Sequence, residues 1–128
     1  MMEVLKCNLC GKVAMILKDG GRRTICCDQI MEKMAEQGGR PGKDSHVPAI
    51  GKTKTGIHIK AGAVGNPMDE DHHIEWIEVS DGRNLMVKGL GAGDAPEAEF
   101  PGVGTGVKVR VYCNSHGLWS NKPSKPKA

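Results

Sequence analysis

Short runs in which apolar and polar residues alternate recur along the chain, and none of them keeps a helical period over enough residues to make a helix. EVLKC and KVAMILK read as short strands on either side of a Cys-x-x-Cys-Gly turn, and RRTICC reads as a third strand closed by two adjacent cysteines. QIMEKMAEQ is ambiguous: Met31 and Met34 are placed for a short amphipathic turn, with core filling as their expected role. Further on, GIHIKAGAV puts Ile57, Ile59, Ala61 and Ala63 on one side and His58 on the other. HHIEWIEV supplies another strand, and from Val107 to Tyr112 valine alternates with Lys, Arg and Tyr, the pattern of a half-buried strand. Between these last two, GLGAGDAPEAEFPGVGTG is dense in glycine and proline and reads as loops and turns. The predicted fold class is all-β: a small metal-bound domain followed by a β-sandwich.

The regular pattern breaks at Gly38–Asp44, GGRPGKD. The expected organisation is a four-cysteine metal domain over 1–38, a linker over 39–44, a sandwich over 45–120 and a Lys/Pro-rich tail over 121–128. The leading segment is shorter than the size at which an apolar core usually suffices, so a metal or a partner chain has to hold it together.

Composition narrows the function classes. The chain has 128 residues, 38% hydrophobic and 26% charged, which is the range of globular domains. Trp76, Phe100, Tyr112 and Trp119 are its only aromatic residues of the Phe, Trp and Tyr type, too few for a platform that stacks nucleic-acid bases. The net charge of +3 resides in the three lysines of the last nine residues, SNKPSKPKA, so no nucleic-acid partner is expected. No run is long and apolar enough for a membrane span, and MMEVLKCNLC lacks the apolar stretch of a secretory signal. A cytoplasmic location is the expectation. Neither a dinucleotide fingerprint, a Walker phosphate loop nor a Gly-x-Ser-x-Gly elbow occurs in the Gly-rich stretches.

Five cysteines in a reducing compartment favour metal over disulfides. Cys7, Cys10, Cys26 and Cys27 give the four thiolates that a tetrahedral zinc or iron ion takes, and chemistry alone leaves structural zinc and redox iron both open. Because Cys26 and Cys27 share one peptide unit, the tetrahedron is expected to be distorted. A second cluster combines Cys113 and His116 in CNSHG with His46 and the pair His72-His73. Neighbours on a strand face opposite ways, so at most one of that pair belongs to a common site.

Taken together, CNLCG, the CC pair, SHVP, NPMDEDHHIEWIEV, GDAPEAEF and CNSHGLW make the chain resemble desulfoferrodoxin, the two-domain form of superoxide reductase, over nearly its whole length. The resemblance implies a desulforedoxin-type domain with one iron in Cys7, Cys10, Cys26 and Cys27, zinc being a substitute there, and then an immunoglobulin-like sandwich with a second iron. For that second iron it implies His46, His72 and His116 as equatorial ligands and Cys113 as the axial one. The family's remaining histidine precedes Pro-Met, where this chain has Asn66, expected near the iron without a strong bond. Where the family shows Glu-Lys-His, this chain has Asp44-Ser45-His46, so Asp44 stands for the carboxylate and Lys43 is the nearest source of the missing positive charge.

The function so implied is one-electron reduction of superoxide to hydrogen peroxide without dioxygen, in a homodimer served by a donor such as rubredoxin. Cys113, Asp44 and Lys43 are the expected catalytic residues. The alternative is an iron-binding electron-transfer protein on the same scaffold, its superoxide turnover impaired by Asn66 and Ser45.

Overall fold

The computed structural model describes residues 2–38, 46–62 and 68–123, and every regular element within them is a β-strand. Two compact units are present, Met1–Ala35 and Glu36–Ala128. In the first, β1 (Glu3–Lys6), β2 (Val13–Ile16) and β5 (Glu32–Lys33) form a sheet with β1 at its centre. β1 and β2 run antiparallel with Lys6 opposite Val13, so the turn between them carries Cys7 and Cys10.

β3 (Ile25–Cys26) and β4 (Gln29–Ile30) make a separate hairpin in which Cys26 faces Gln29. Its two central residues, Cys27 and Asp28, therefore form a two-residue turn, and both have left-handed backbones with φ of 53° and 59°. That is the type I′ arrangement, which suits the twist of a hairpin but normally calls on Asn-Gly. QIMEKMAEQ, open to an amphipathic turn by sequence, contains no helical turn and contributes the short strands β4, β5 and β6 (Glu36–Gln37). Met31 is buried, as core filling requires.

The second unit is a sandwich. One sheet has the order β10-β9-β12-β13-β6, built from β9 (Ile74–Ser80), β10 (Leu85–Gly89), β12 (Lys108–Cys113), β13 (Gly117–Ser120) and β6. The other has the order β11-β8-β7, built from β7 (Ala49–Lys52), β8 (Gly56–Lys60) and β11 (Glu97–Pro101). Ile57 and Ile59 of β8, Ile77 and Val79 of β9, and Val109 and Val111 of β12 form one buried cluster between the sheets, and each is fully excluded from solvent. Apolar area of this kind stabilises by about 25 cal/mol per Å² removed from water, so this cluster rather than the loops holds the sandwich.

Two strands differ from the sequence reading. β11 lies inside the Gly/Pro-rich stretch expected to be loops, and pairs in full with β8, Phe100 opposite Ile57 and Pro101 opposite Gly56. An edge strand tolerates proline, and Gly56 permits the approach: a Cβ there would lie 2.0 Å from the Phe100 carbonyl oxygen. β12, expected to be half-buried, is buried on both faces. Arg110 is 1% exposed, and its guanidinium lies 2.8 Å from Glu78 and 3.2 Å from Glu36, whose other carboxylate oxygen pairs with Lys108. Opposite charges let a charged strand position go fully inside, which alternation alone does not reveal.

Candidate metal centres

The Cys7-x-x-Cys10-Gly11 turn closes through main-chain bonds from Gly11 N–H to the Cys7 carbonyl (2.9 Å) and from Cys7 N–H to the Lys12 carbonyl (2.8 Å). Gly11 supplies the left-handed conformation, φ 81°, that turns the chain back into β2. Across from it, the I′ hairpin presents Cys26 and Cys27. The four sulfurs lie within 4.8 Å of one another, with Cys10–Cys26 at 3.6 Å and Cys26–Cys27 at 3.9 Å. A tetrahedron with metal–sulfur bonds of about 2.3 Å has edges of about 3.8 Å, so the spacing fits one ion. It is far outside the roughly 2.05 Å of a disulfide. The left-handed backbone of Cys27 goes with a separation of 3.9 Å between the two adjacent thiols, an ordinary ligand spacing.

The thiols share little charge before metal arrives. Backbone N–H groups of Cys10 and Leu9 point at the Cys7 sulfur and lower its pKa to about 6. Cys26 is pushed up to about 12, chiefly by its hydrogen bonds with the Cys10 and Cys7 thiols, and Cys27 is raised too, chiefly by Cys10. One thiolate forms readily and opposes the next, so a cation that neutralises all of them must displace protons as it binds.

The second centre is assembled from distant parts of the sandwich unit. β12 ends in Cys113, which faces the core and is 1% exposed. The ladder between β12 and β9 shifts register between Tyr112 and Cys113, so that Cys113 meets Ile74. Bulges of this kind re-aim side chains beside functional sites. Asn114-Ser115-His116 then makes a tight hairpin into β13, whose first residue, Gly117, has φ 88° and faces Cys113.

His46 is buried, His72 is half-buried just ahead of β9, and His116 is exposed. The donor atoms of His46, His72, His116 and Cys113 lie within 4.8 Å of one another. His72 Nε2 is 3.1 Å from His116 Nδ1, which is 3.6 Å from Cys113 Sγ. Two ligands at right angles on bonds of about 2.1 Å stand about 3.0 Å apart, so the imidazole spacing suits neighbouring positions on one ion. Three imidazoles and a thiol, with no carboxylate in the cluster among the described residues, make a donor set for a first-row transition metal rather than for magnesium or calcium.

Neighbouring groups fix these rings. The His116 carbonyl accepts from Gln37 Nε2 at 2.7 Å and from Trp119 Nε1 at 3.0 Å, and the Trp119 ring stacks on His46 at 5.3 Å and 24°. Asn114 accepts the His73 main-chain N–H at 3.1 Å. Sequence reading missed Gln37, Asn114 and Trp119 as site residues. CNSHGLW holds the last two, and only the pairing of β6 with β13, Gln37 opposite Trp119, brings the first.

Of the residues singled out by sequence, the structure gathers Cys7, Cys10, Cys26 and Cys27 in one cluster and His46, His72, Cys113 and His116 in the other. His73 turns its ring to the Asp69 carbonyl, 2.8 Å from Nδ1, and His58 sits 3.5 Å from Glu99 and 3.8 Å from Glu97. Lys43, Asp44, Ser45 and Asn66 lie outside the described residues. No helix among the described residues is long and apolar enough to cross a membrane.

An all-β protein with a four-thiol cluster on a small unit and a histidine–cysteine cluster on a sandwich is a two-centre metalloprotein. Family models place it further: Desulfoferrodoxin, N-terminal domain, matches residues 1–34, and Desulfoferrodoxin matches residues 38–122. The chain belongs to the desulfoferrodoxin family. A desulfoferrodoxin homolog of Methanothermobacter thermautotrophicus is 44% identical over 118 residues, covering 91% of this chain and 95% of that protein. The desulfoferrodoxin of Nitratidesulfovibrio vulgaris is 45% identical over 118 residues, covering 91% and 93%. Among solved structures, the superoxide reductase of Treponema pallidum shares the fold with a TM-score of 0.77 at 21% identity, covering 95% of this chain and 98% of that one. Both donor sets fit the iron centres of this family.

Proposed function

We propose that this protein is a superoxide reductase, which converts superoxide to hydrogen peroxide by one-electron reduction without releasing dioxygen. The observation that carries the reading is the convergence of three imidazoles and one thiol, from His46, His72, His116 and Cys113, within 4.8 Å in a chain of the desulfoferrodoxin family. The same convergence weighs against an electron-transfer protein that keeps the scaffold without turnover.

These four residues are the proposed ligands of one iron, and Cys7, Cys10, Cys26 and Cys27 those of the other, where zinc is an acceptable substitute. His46, His72, His116 and Cys113 would hold the iron of the histidine–cysteine centre, which in its ferrous form would supply the one electron that, with two protons from solvent, reduction of superoxide to hydrogen peroxide requires, an external reductant restoring it. Cys113 is shut off from water, so as a ligand its sulfur would face the cation without competing hydration and act as a strong donor. His116 is the exposed member of the set, and a small anion reaches the centre from its side.

Lys43 is assigned the task of drawing the anion in, and Asp44 that of offering a carboxylate close to His46. Asn66 is placed beside the iron as a weak neighbour in place of a fourth histidine. These three roles rest on position in the sequence. A rubredoxin-type donor, a homodimer and a cytoplasmic role in removing superoxide complete the proposal.

Rapid mixing of the reduced, iron-loaded protein with pulsed superoxide tests it. Oxidation of the histidine–cysteine iron should far outrun uncatalysed dismutation, and Cys113→Ser should abolish that advantage while leaving the absorbance of the four-cysteine centre intact. Oxidation no faster than dismutation in the unmutated protein would overturn the assignment.

A further inference from the structure

Building on that reading, we infer that Asn114 is a positioning residue for the histidine–cysteine centre, gripping the main chain on both sides of His72 and so setting how closely His72 approaches His116. Three contacts make the grip. Asn114 Oδ1 accepts the His73 N–H at 3.1 Å, Asn114 Nδ2 donates to the Asp71 carbonyl at 3.3 Å, and the Asn114 main-chain N–H donates to the His73 carbonyl at 3.2 Å. The first two come from opposite ends of one amide and land on residues 71 and 73, so His72 is held between them.

The need for such a grip follows from where His72 sits. The β12–β9 ladder stops at the pair Cys113–Ile74, two residues short of His72. The bonds from Asp69 N–H to the His72 carbonyl (2.9 Å) and between His73 Nδ1 and the Asp69 carbonyl (2.8 Å) shape the 69–73 turn from within. They do not tie it to the hairpin that carries Cys113 and His116. Asn114 is directly bonded to Cys113 and two residues from His116, so its amide references a third donor to the other two. Only an amide fills the role. Aspartate keeps an acceptor for the His73 N–H but sets a carboxylate oxygen against the Asp71 carbonyl, and alanine keeps neither side-chain bond.

Cobalt(II) titration of the full-length protein tests this without reference to turnover. Cobalt in the histidine–cysteine centre produces paramagnetically shifted imidazole proton signals, which a four-sulfur site cannot give. Competition with a chromophoric chelator should show Asn114→Ala weakening cobalt at this centre by about 10- to 100-fold, the usual cost of losing an outer partner of a ligand. Asn114→Asp should lose less. Cobalt binding by the four cysteines should not change. In a His72→Ala background, Asn114→Ala should cost nothing further, because the ligand it positions is gone.

An affinity within twofold of the unmutated protein, or the same loss in both backgrounds, would overturn the role of Asn114. If Asn114→Ala does not fold, the Asn114→Asp comparison in the two backgrounds decides in the same way. Absence of imidazole signals from cobalt-loaded unmutated protein would instead overturn the metal-centre reading, and the inference with it.

Discussion

The two centres are built by opposite means. All four sulfurs of the first come from residues 7–27, placed by two turns whose backbone shape is written locally: a Cys-x-x-Cys-Gly loop and a left-handed Cys27–Asp28 pair. The donors of the second span residues 46–116 and meet only because strands far apart in sequence pair and pack. Burial differs in step. Val4, Cys7 and Met31 are the buried apolar residues of the small unit among those described, and Leu9, Leu17, Ile25 and Ile30 remain exposed there. The sandwich by contrast has a closed apolar core of its own. In one unit an ion held by the four sulfurs would stand in for a core; in the other the core is complete without one and the donors are mounted on it.

The sharpest way to break this contrast is to take metal away. Removing metal with a chelator, or replacing Cys10 with serine, should strip amide hydrogen-exchange protection from β1 and β2 while β9 and β12 keep theirs. Structural zinc in small peptides is worth about 10–16 kcal/mol, more than three buried side chains can replace. Retained protection in β1 and β2 would show that the small unit has a sufficient core after all.

The reverse experiment attacks the sandwich. Arg110→Ala leaves the buried Glu78 carboxylate its hydrogen bond from Trp76 Nε1 but removes its cationic partner, and should lower the unfolding free energy of the second unit by about 3–5 kcal/mol, read from urea midpoints. Metal in the four cysteines should be unaffected. A change under about 1 kcal/mol would mean that the charges reach water more easily than their exposure indicates.

The smallest expected effect concerns the I′ turn. Glycine accepts the left-handed backbone of Asp28 without the cost borne by a residue with a Cβ. Asp28→Gly should therefore strengthen the small unit by about 0.5–1 kcal/mol, seen as a higher temperature for metal release. A lower release temperature would show that the Asp28 side chain matters more than its backbone.

What was legible from sequence follows the same division. The four cysteines announce their cluster because their chemistry is written in spacing, and the alternation of Ile57 with Ile59 and of Val109 with Val111 announces the strands that pack into the core. Three things were hidden, each for a physical reason. β11 passed for loop because its proline and glycines carry turn signals that an edge strand tolerates. Arg110 passed for a surface residue because its partners, Glu78 and Glu36, come from other strands. The adjacency of Cys26 and Cys27 is plain in the sequence, but the left-handed backbone of Cys27 is not, because a turn of this type normally calls on Asn-Gly. At the second centre the donors were readable and their supports were not, since Gln37, Asn114 and Trp119 act through hydrogen bonds and stacking that only the folded strands create.

The short strand β6 blurs what counts as a spacer. Glu36 pairs with Leu118 in the larger sheet and shares its carboxylate with Lys108 and Arg110, while Gln37 holds the carbonyl of His116. A pared-down protein made to keep only the histidine–cysteine half must start upstream of Glu36. Cutting at the glycines that follow would discard an edge of the scaffold and loosen His116, a proposed ligand that lies 79 positions from Gln37 along the polypeptide.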